Sequence, residues 1–411
     1  MRHRLFVAAV NIFIVVTLFG ALEFTARVVQ KKRLGPNALI PPARMDRWTG
    51  WRNTPNYQRY DIQHDAQGFR RDADVALEKP PNTVRIFLMG GSAAYGFEGL
   101  FRDLDPDWQP LYNRELIDAY LQKKLNKRHP ERHWEVINAA VNEFRMHQHL
   151  VLLYAQLLQF HPDLVIFMDG HNDMSGLMTE TAHYNPFAAT PHEREFTSMV
   201  YPRSFRSLLY INSAWLRNNS VLFDLIYRRT LGRLQDQGIG PGADPSEPVH
   251  SPVQWADLSQ KDRESAARSL ANVGYYTQMA ERLESALAHE GVPAIFSMQP
   301  ELIPSRKRLT PVEEKFAGYT RQISRRRITY LWENLRPRIV SDMAASAKRN
   351  RYTFVDLEDA FDDMSEKAFT DYCHLTPAAN ERIAEKLYQA MDPALIARLI
   401  KNDRSLAVAA R

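Results

Sequence analysis

The chain holds one cysteine, Cys373, in 411 residues. No intrachain disulfide can form, so covalent staples are excluded and cysteine usage is silent about compartment. Paired cysteines, a His-Glu-x-x-His run and calcium-loop spacing are all missing, and no metal site or cofactor is expected. The 13 histidines are scattered. His147 and His149 are neighbours, but on a helix a two-residue separation turns them in different directions. Zinc-finger spacing, an RNA-binding signature and a dense basic run in the body are lacking too. The net charge of +5 and pI near 9.1 therefore read as a mildly basic surface, with no nucleic-acid partner expected.

What is present is ordinary for a folded protein: 45% hydrophobic and 25% charged residues. The length suits one enlarged α/β domain plus an anchor, with a substantial core. The anchor candidate comes first. An apolar run from Leu5 to Phe24 is broken only by Asn11, Thr17 and Glu23. At about 20 residues it can cross a hydrocarbon core. A cleaved signal peptide is the rival, but no small-x-small site follows the run, so an uncleaved transmembrane helix is expected. Arg2 and Arg4 precede it, while Arg27, Lys31, Lys32 and Arg33 follow it. The flanking charges thus do not place the body outside. The expected division is an anchor over 1–33, a lead-in rich in Pro, Asn, Asp and Arg over 34–80, and one domain over 81–411.

Within that domain, short runs rich in Val, Ile and Phe alternate with helical patterns. The runs are Val84–Met89, Trp134–Val141, Asp163–Asp169, Pro293–Met298 and Tyr352–Leu357. They read as parallel strands covered on both faces. Helical spacing appears over 111–127, 148–160, 262–289 and 328–349, the last with a bend expected at Pro337. Thr376-Pro377 offers an N-cap and a first-turn proline for a helix reaching Met391. The alternation predicts a three-layer α/β/α fold around a mainly parallel five-stranded sheet. Residues 174 to about 260 break the rhythm with an aromatic-rich part (Tyr184 to Tyr227) and a Gly/Pro-rich loop (Gly238 to Pro252). They read as an insertion, either a wall over the active face or a structural excursion.

Ligands of open parallel sheets bind beyond the carboxyl ends of the strands. After the first strand comes Gly90-Gly91-Ser92-Ala93-Ala94-Tyr95-Gly96, whose small residues permit a tight turn and leave Ser92 uncrowded. By itself such a turn could equally cradle phosphate, though the P-loop Lys-Ser/Thr and the dinucleotide fingerprint are lacking. After the third strand comes Gly170-His171-Asn172-Asp173, where Asn172 could aim its amide at a forming oxyanion or simply cap a turn. Near the C-terminus Asp371 precedes His374 by three residues, a carboxylate within reach of a general base. A surface Asp with a capping His would read the same way. Cys373, beside His374, is a rival nucleophile with poorer local architecture than Ser92.

Taken together, the order serine, asparagine, Asp-x-x-His resembles the SGNH/GDSL hydrolases. Gly90-Gly91-Ser92 is similar to that family's first block, Gly170-His171-Asn172-Asp173 to its third, and Asp371-Tyr372-Cys373-His374 to its last. Gly68-Phe69-Arg70 resembles the lead-in of bacterial members, so the likeness spans about residues 65 to 390. It implies a flavodoxin-like SGNH fold with Ser92 as nucleophile, His374 as base, Asp371 as its partner, and Ser92 N–H and Asn172 as oxyanion donors. One position departs: Glu143 stands where the family places a glycine whose backbone N–H is a second donor. The resemblance implies an esterase acting on acyl esters, acetyl among them, of a small molecule or a cell-envelope polysaccharide. It also implies an inner-membrane, single-pass protein with a periplasmic body. An O-acyltransferase using the same residues, or a silent carbohydrate-binding module, is the alternative.

Overall fold

The structure is a computed structural model. It describes residues 2–34, 42–46, 48–59, 61–179, 216, 220–227, 252–324 and 326–401. Most of the aromatic-rich stretch and nearly all of the Gly/Pro-rich loop expected in the insertion lie outside the described residues.

Seven strands are present, β1 (Ala43–Asp46), β2 (Gly50–Asn53), β3 (Thr83–Gly90), β4 (His133–Asn138), β5 (Leu164–Asp169), β6 (Ala294–Met298) and β7 (Thr353–Asp356). The last five form one sheet in the order β4-β3-β5-β6-β7, and every neighbouring pair is parallel. In sheet order this is the 2-1-3-4-5 doubly wound arrangement, so the fold is the expected α/β/α one. The reason lies in side-chain alternation. Val84, Ile86 and Leu88 join Leu164, Ile166 and Met168 in one core, while Phe87 and Met89 join Val165 and Phe167 in the other. Successive residues of a strand point to opposite faces, and both faces are apolar, so helices must cover both. Arg85 interrupts this pattern in β3 with a fully buried side chain. It is compensated by Glu135 at 2.7 Å and the Phe160 carbonyl at 2.8 Å.

The covering helices deviate from expectation in one place. The pattern over 262–289 is two helices, Gln260–Ala271 and Gly274–His289, joined at Asn272 and Val273. Asn and Gly favour a break there because Asn competes for backbone bonds and Gly is a poor helix former. The helix Arg326–Asn350, by contrast, continues through Pro337. Thr376 caps the helix Pro377–Ala390 as expected, its hydroxyl accepting the Ala379 N–H. Sequence periodicity did not flag the helix Pro311–Ile323, which opens with a Thr310/Glu313 capping box.

The lead-in contributes to the domain. β1 and β2 form an antiparallel hairpin, and Trp51, Phe69 and Arg70 are buried. Trp51 Nε1 donates to the Asn142 carbonyl at 2.9 Å, and Asn53 Nδ2 to the Ala140 carbonyl at 2.9 Å. The hairpin therefore braces the loop after β4. At the N-terminus, Arg2–Leu34 is one helix, and Ala9–Lys32 within it is long and apolar enough to cross a membrane.

Candidate active site

Sheet order reverses between β3 and β5, which opens a crevice at their carboxyl ends. The chain leaves β3 through Gly90 and Gly91 and enters a one-turn helix, Ser92–Tyr95. Gly91 has to be glycine: a Cβ there would collide with Asn172 Nδ2. That collision is also a measure of proximity, since it puts the Asn172 amide against the backbone that carries Ser92. The Asn172 nitrogen donates to the Phe144 carbonyl at 3.0 Å. An amide nitrogen has two hydrogens, and among the described residues no acceptor takes the second.

His374 arrives from the opposite side. An isolated bridge between Phe369 and Leu375 closes a tight loop, with Thr370 N–H donating to the His374 carbonyl at 2.8 Å. Inside this loop Asp371 is fully buried and accepts four hydrogen bonds. Oδ1 receives the backbone N–H of Cys373 (2.8 Å) and His374 (2.9 Å). Oδ2 receives Leu100 N–H (2.7 Å) and the His374 ring Nδ1 (2.6 Å). Burial alone would push this carboxyl up. The His374 charge and these donors outweigh it and hold the group down at about 2. Asp371 is therefore ionised at neutral pH, and Nδ1 must carry the ring proton. The free lone pair is then on Nε2, which lies 2.8 Å from Ser92 Oγ. The serine hydroxyl donates to it, the geometry that general-base removal of the serine proton requires. Because the Asp371 carboxyl is lowered by folding, its contribution to stability is present above pH 3.8 and lost as pH falls toward 2.

Cys373 does not compete for that role. Its thiol is buried, burial and then Asp371 push it well above its ordinary value, and Sγ lies 3.7 and 3.9 Å from the two His374 nitrogens, farther than Ser92 Oγ at 2.8 Å. Asp371, Cys373 and His374 do bring three potential ligand atoms within 4.8 Å of one another. The protonated thiol and the Asp371–His374 hydrogen bond make this an acid–base pair in the form described, with the imidazole already committed to Ser92.

Glu143 adopts φ 65°, the left-handed region that glycine enters freely and a glutamate enters at a cost of about 1 kcal/mol or more. The backbone shape of the missing glycine is thus retained with a carboxylate attached. Burial raises the Tyr372 phenol well above its ordinary value, and the carboxylates of Asp371, Glu301 and Glu143 add to the shift. Glu143→Gly is expected to raise the unfolding midpoint by about 1 to 2 °C, the strain of about 1 kcal/mol being released, and thermal unfolding of the two proteins checks it.

Several residues of the site escaped sequence reasoning. Phe97 packs on the His374 ring at 4.9 Å, and Tyr372 stands between His374 and His171. His171 Nδ1 meets the fully buried Glu301 at 3.1 Å, and Trp332 Nε1 donates to the same carboxylate. Beneath Asn172, His149 pairs with Asp169 at 2.9 Å and packs on Phe144, whose carbonyl holds the Asn172 amide. Asp173 accepts Met146 N–H at 3.3 Å; burial, then the neighbouring Asp169, raise its carboxyl to about 7. These groups come from six separate segments. Only the i+2 pair His147/His149 offered a local signal, and it pointed to no partner.

No protein-family profile matches the chain, and no curated protein matches it. Solved structures do resemble it, all at low identity. An α/β hydrolase, LAE5, from the metagenome of Lake Arreo is 12% identical, with TM-score 0.33 over 75% of this chain and 94% of that one. Axe2, an acetylxylan esterase from Geobacillus stearothermophilus, is 13% identical, with TM-score 0.33 and the same coverage. A putative lipolytic protein of the G-D-S-L family from Desulfitobacterium hafniense is 9% identical, with TM-score 0.36 over 75% of this chain and 99% of that one. At these values the likenesses carry no argument about activity or substrate; the chain is similar to GDSL-type esterase structures, and what it does has to be argued from its own site.

Proposed function

We propose that the protein is a membrane-anchored serine ester hydrolase in which Ser92 is the nucleophile, His374 the general base and Asp371 the group that orients and stabilises His374. The observation that carries this reading is the continuous hydrogen-bonded line from Asp371 through His374 to Ser92 Oγ, two links of 2.6 and 2.8 Å. His374 Nε2 takes the hydroxyl proton as Oγ attacks the acyl carbonyl. The resulting oxyanion meets Ser92 N–H, the second hydrogen of the Asn172 amide and the Glu143 backbone N–H. His374 then returns its proton to the departing alcohol, leaving an acyl-serine. Water, deprotonated by the same imidazole, releases the acid. A binding module has no use for a serine aligned on an imidazole whose tautomer is fixed, so the geometry favours chemistry over a silent role.

The substrate class we assign is an acyl ester, with acetyl groups on a cell-envelope polysaccharide as the natural candidate from the family resemblance. An O-acyltransferase would use the same first half-reaction. The N-terminal span would hold the domain at the inner membrane, on its periplasmic side.

A fluorophosphonate probe tests the core of the proposal. The full chain in detergent should acquire one adduct, mapped by mass spectrometry to Ser92, and Ser92→Ala should acquire none. Failure of a folded wild-type protein to label would overturn the assignment. Asn172→Ala should leave labelling detectable but slow turnover of p-nitrophenyl acetate by about 100- to 1,000-fold in kcat, the usual loss for one oxyanion donor. An effect confined to KM would assign Asn172 to ground-state binding instead.

A further inference from the structure

Glu23 is the only acidic residue in the apolar span Ala9–Lys32. It lies about 20 Å along the helix from Ala9 and about 14 Å from Lys32, one residue before the apolar run ends at Phe24. Its neighbours Leu22 and Phe24 are 57% and 69% exposed, whereas its own side chain is only 15% exposed. What covers it is a second short helix, Val221–Tyr227, which belongs to the insertion. Glu23 accepts Val221 N–H (2.9 Å) on one oxygen, and Leu222 N–H (2.9 Å) and the Ser220 hydroxyl (2.8 Å) on the other. Arg27, one turn along the span, donates to the same carboxylate at 2.6 Å.

The start of a helix leaves four N–H groups without intrahelical acceptors. In this helix all four are satisfied by protein. Ser220 N–H donates to the Leu216 carbonyl at 2.8 Å, Val221 and Leu222 to Glu23, and Phe223 to Ser220 Oγ at 3.0 Å. On a surface helix such groups are left to water or capped, as Thr376 caps the helix Pro377–Ala390, whereas a helix end in hydrocarbon has to be capped, because each unsatisfied group there costs several kcal/mol. The rest of the segment matches that setting: Leu225 and Ile226 are 38% and 51% exposed, and both are apolar.

We propose that residues 220–227 are a second membrane contact, docked onto the span by Glu23, with Leu225 and Ile226 facing lipid. The helix, about 10 Å long, is too short to cross a bilayer and enters it beside the anchor. Glu23, a costly residue for a span to carry, is then the tether that fixes the insertion to the membrane. The helix His171–Thr179, which carries Asn172, leads into that insertion, so the orientation of the site toward the bilayer is set at two points. This inference rests on the N-terminal helix being a membrane span.

The test uses the full chain in vesicles of phosphatidylethanolamine and phosphatidylglycerol. Cys373 is buried, so a maleimide-linked, polarity-sensitive fluorophore on the native protein goes to an introduced cysteine. Ile226→Cys is compared with Ile14→Cys in the span. The expected result is blue-shifted emission at both positions, quenched by a spin-labelled lipid and protected from iodide. Adding Glu23→Leu should return residue 226 to aqueous emission and iodide quenching while residue 14 stays lipid-quenched. Lipid quenching at 14 with aqueous emission at 226 in the otherwise native chain overturns the second contact and leaves the anchor standing. Aqueous emission at both positions overturns the anchor, and the proposal with it. Emission at 226 that ignores Glu23→Leu removes the tether role.

Discussion

Ser92→Ala and His374→Ala are each expected to lower kcat/KM for p-nitrophenyl acetate by about 10,000-fold or more, and the double variant should be no worse than either single one. Residues that act as a unit lose their joint effect once either is gone. Asp371→Asn should cost nearly as much, roughly 1,000- to 10,000-fold. The reason is specific to this loop. Both carboxylate oxygens accept two N–H groups each, from Cys373 and His374 on one and from Leu100 and the imidazole on the other. An amide can place its NH2 on neither side without setting N–H against N–H. The imidazole would have to turn or take the tautomer with the proton on Nε2, which cannot accept from Ser92. Steady-state kinetics on the four variants, with circular dichroism to verify folding, decides the matter. Equal rates in wild type and variants would end the esterase reading for simple esters and favour a carbohydrate-binding role.

The second large effect concerns stability. Asp118 is buried, and burial raises its carboxyl to about 7 although Asn138 and the charge of Arg70 pull it down. Unfolded, the same group releases its proton near 3.8. Between those values the folded protein holds a proton that the unfolded chain does not, so stability falls as pH rises through that window. A shift of this size corresponds to a few kcal/mol, on the order of 1.4 kcal/mol per unit. Asn138 Nδ2 donates both to Asp118 (2.9 Å) and to the Ala94 carbonyl (2.9 Å), so the affected bond braces the turn that carries Ser92. Asp118→Asn cannot ionise. Denaturant unfolding at pH 5 and pH 8 should show wild type losing more stability across the interval than the variant, by a few kcal/mol. Equal losses would mean that Asp118 is already ionised at pH 5.

Much of the fold was legible because its signals are local. Alternating apolar strands such as Val84–Met89 must be covered on both faces, and Thr376-Pro377 starts a helix wherever it stands. Even the unusual site position, Glu143, could be singled out by alignment to the family's blocks. The break at Asn272 rests on two weak helix formers, Asn272 and Gly274, whose local signal is masked by an amphipathic pattern that the two helices share. Other features were not legible because the partners are far apart in sequence. The bracing of the β4 loop by Trp51 joins residues 91 positions apart. Leu100, the fourth donor to Asp371, comes from a segment with no motif at all.

By itself the sequence determined the parallel α/β architecture and the apolar N-terminal helix. Composition and periodicity suffice for these, since they follow from which side chains must leave water, whereas the serine–histidine–aspartate set was singled out by its resemblance to a family's motif blocks. The tertiary structure alone decided that Ser92, His374 and Asp371 lie within hydrogen-bonding distance, that Glu143 takes a glycine's backbone conformation, and that Glu23 is capped by residues some 200 positions later. Those are distances between separate chain segments, fixed by packing many residues at once, and no local pattern encodes them.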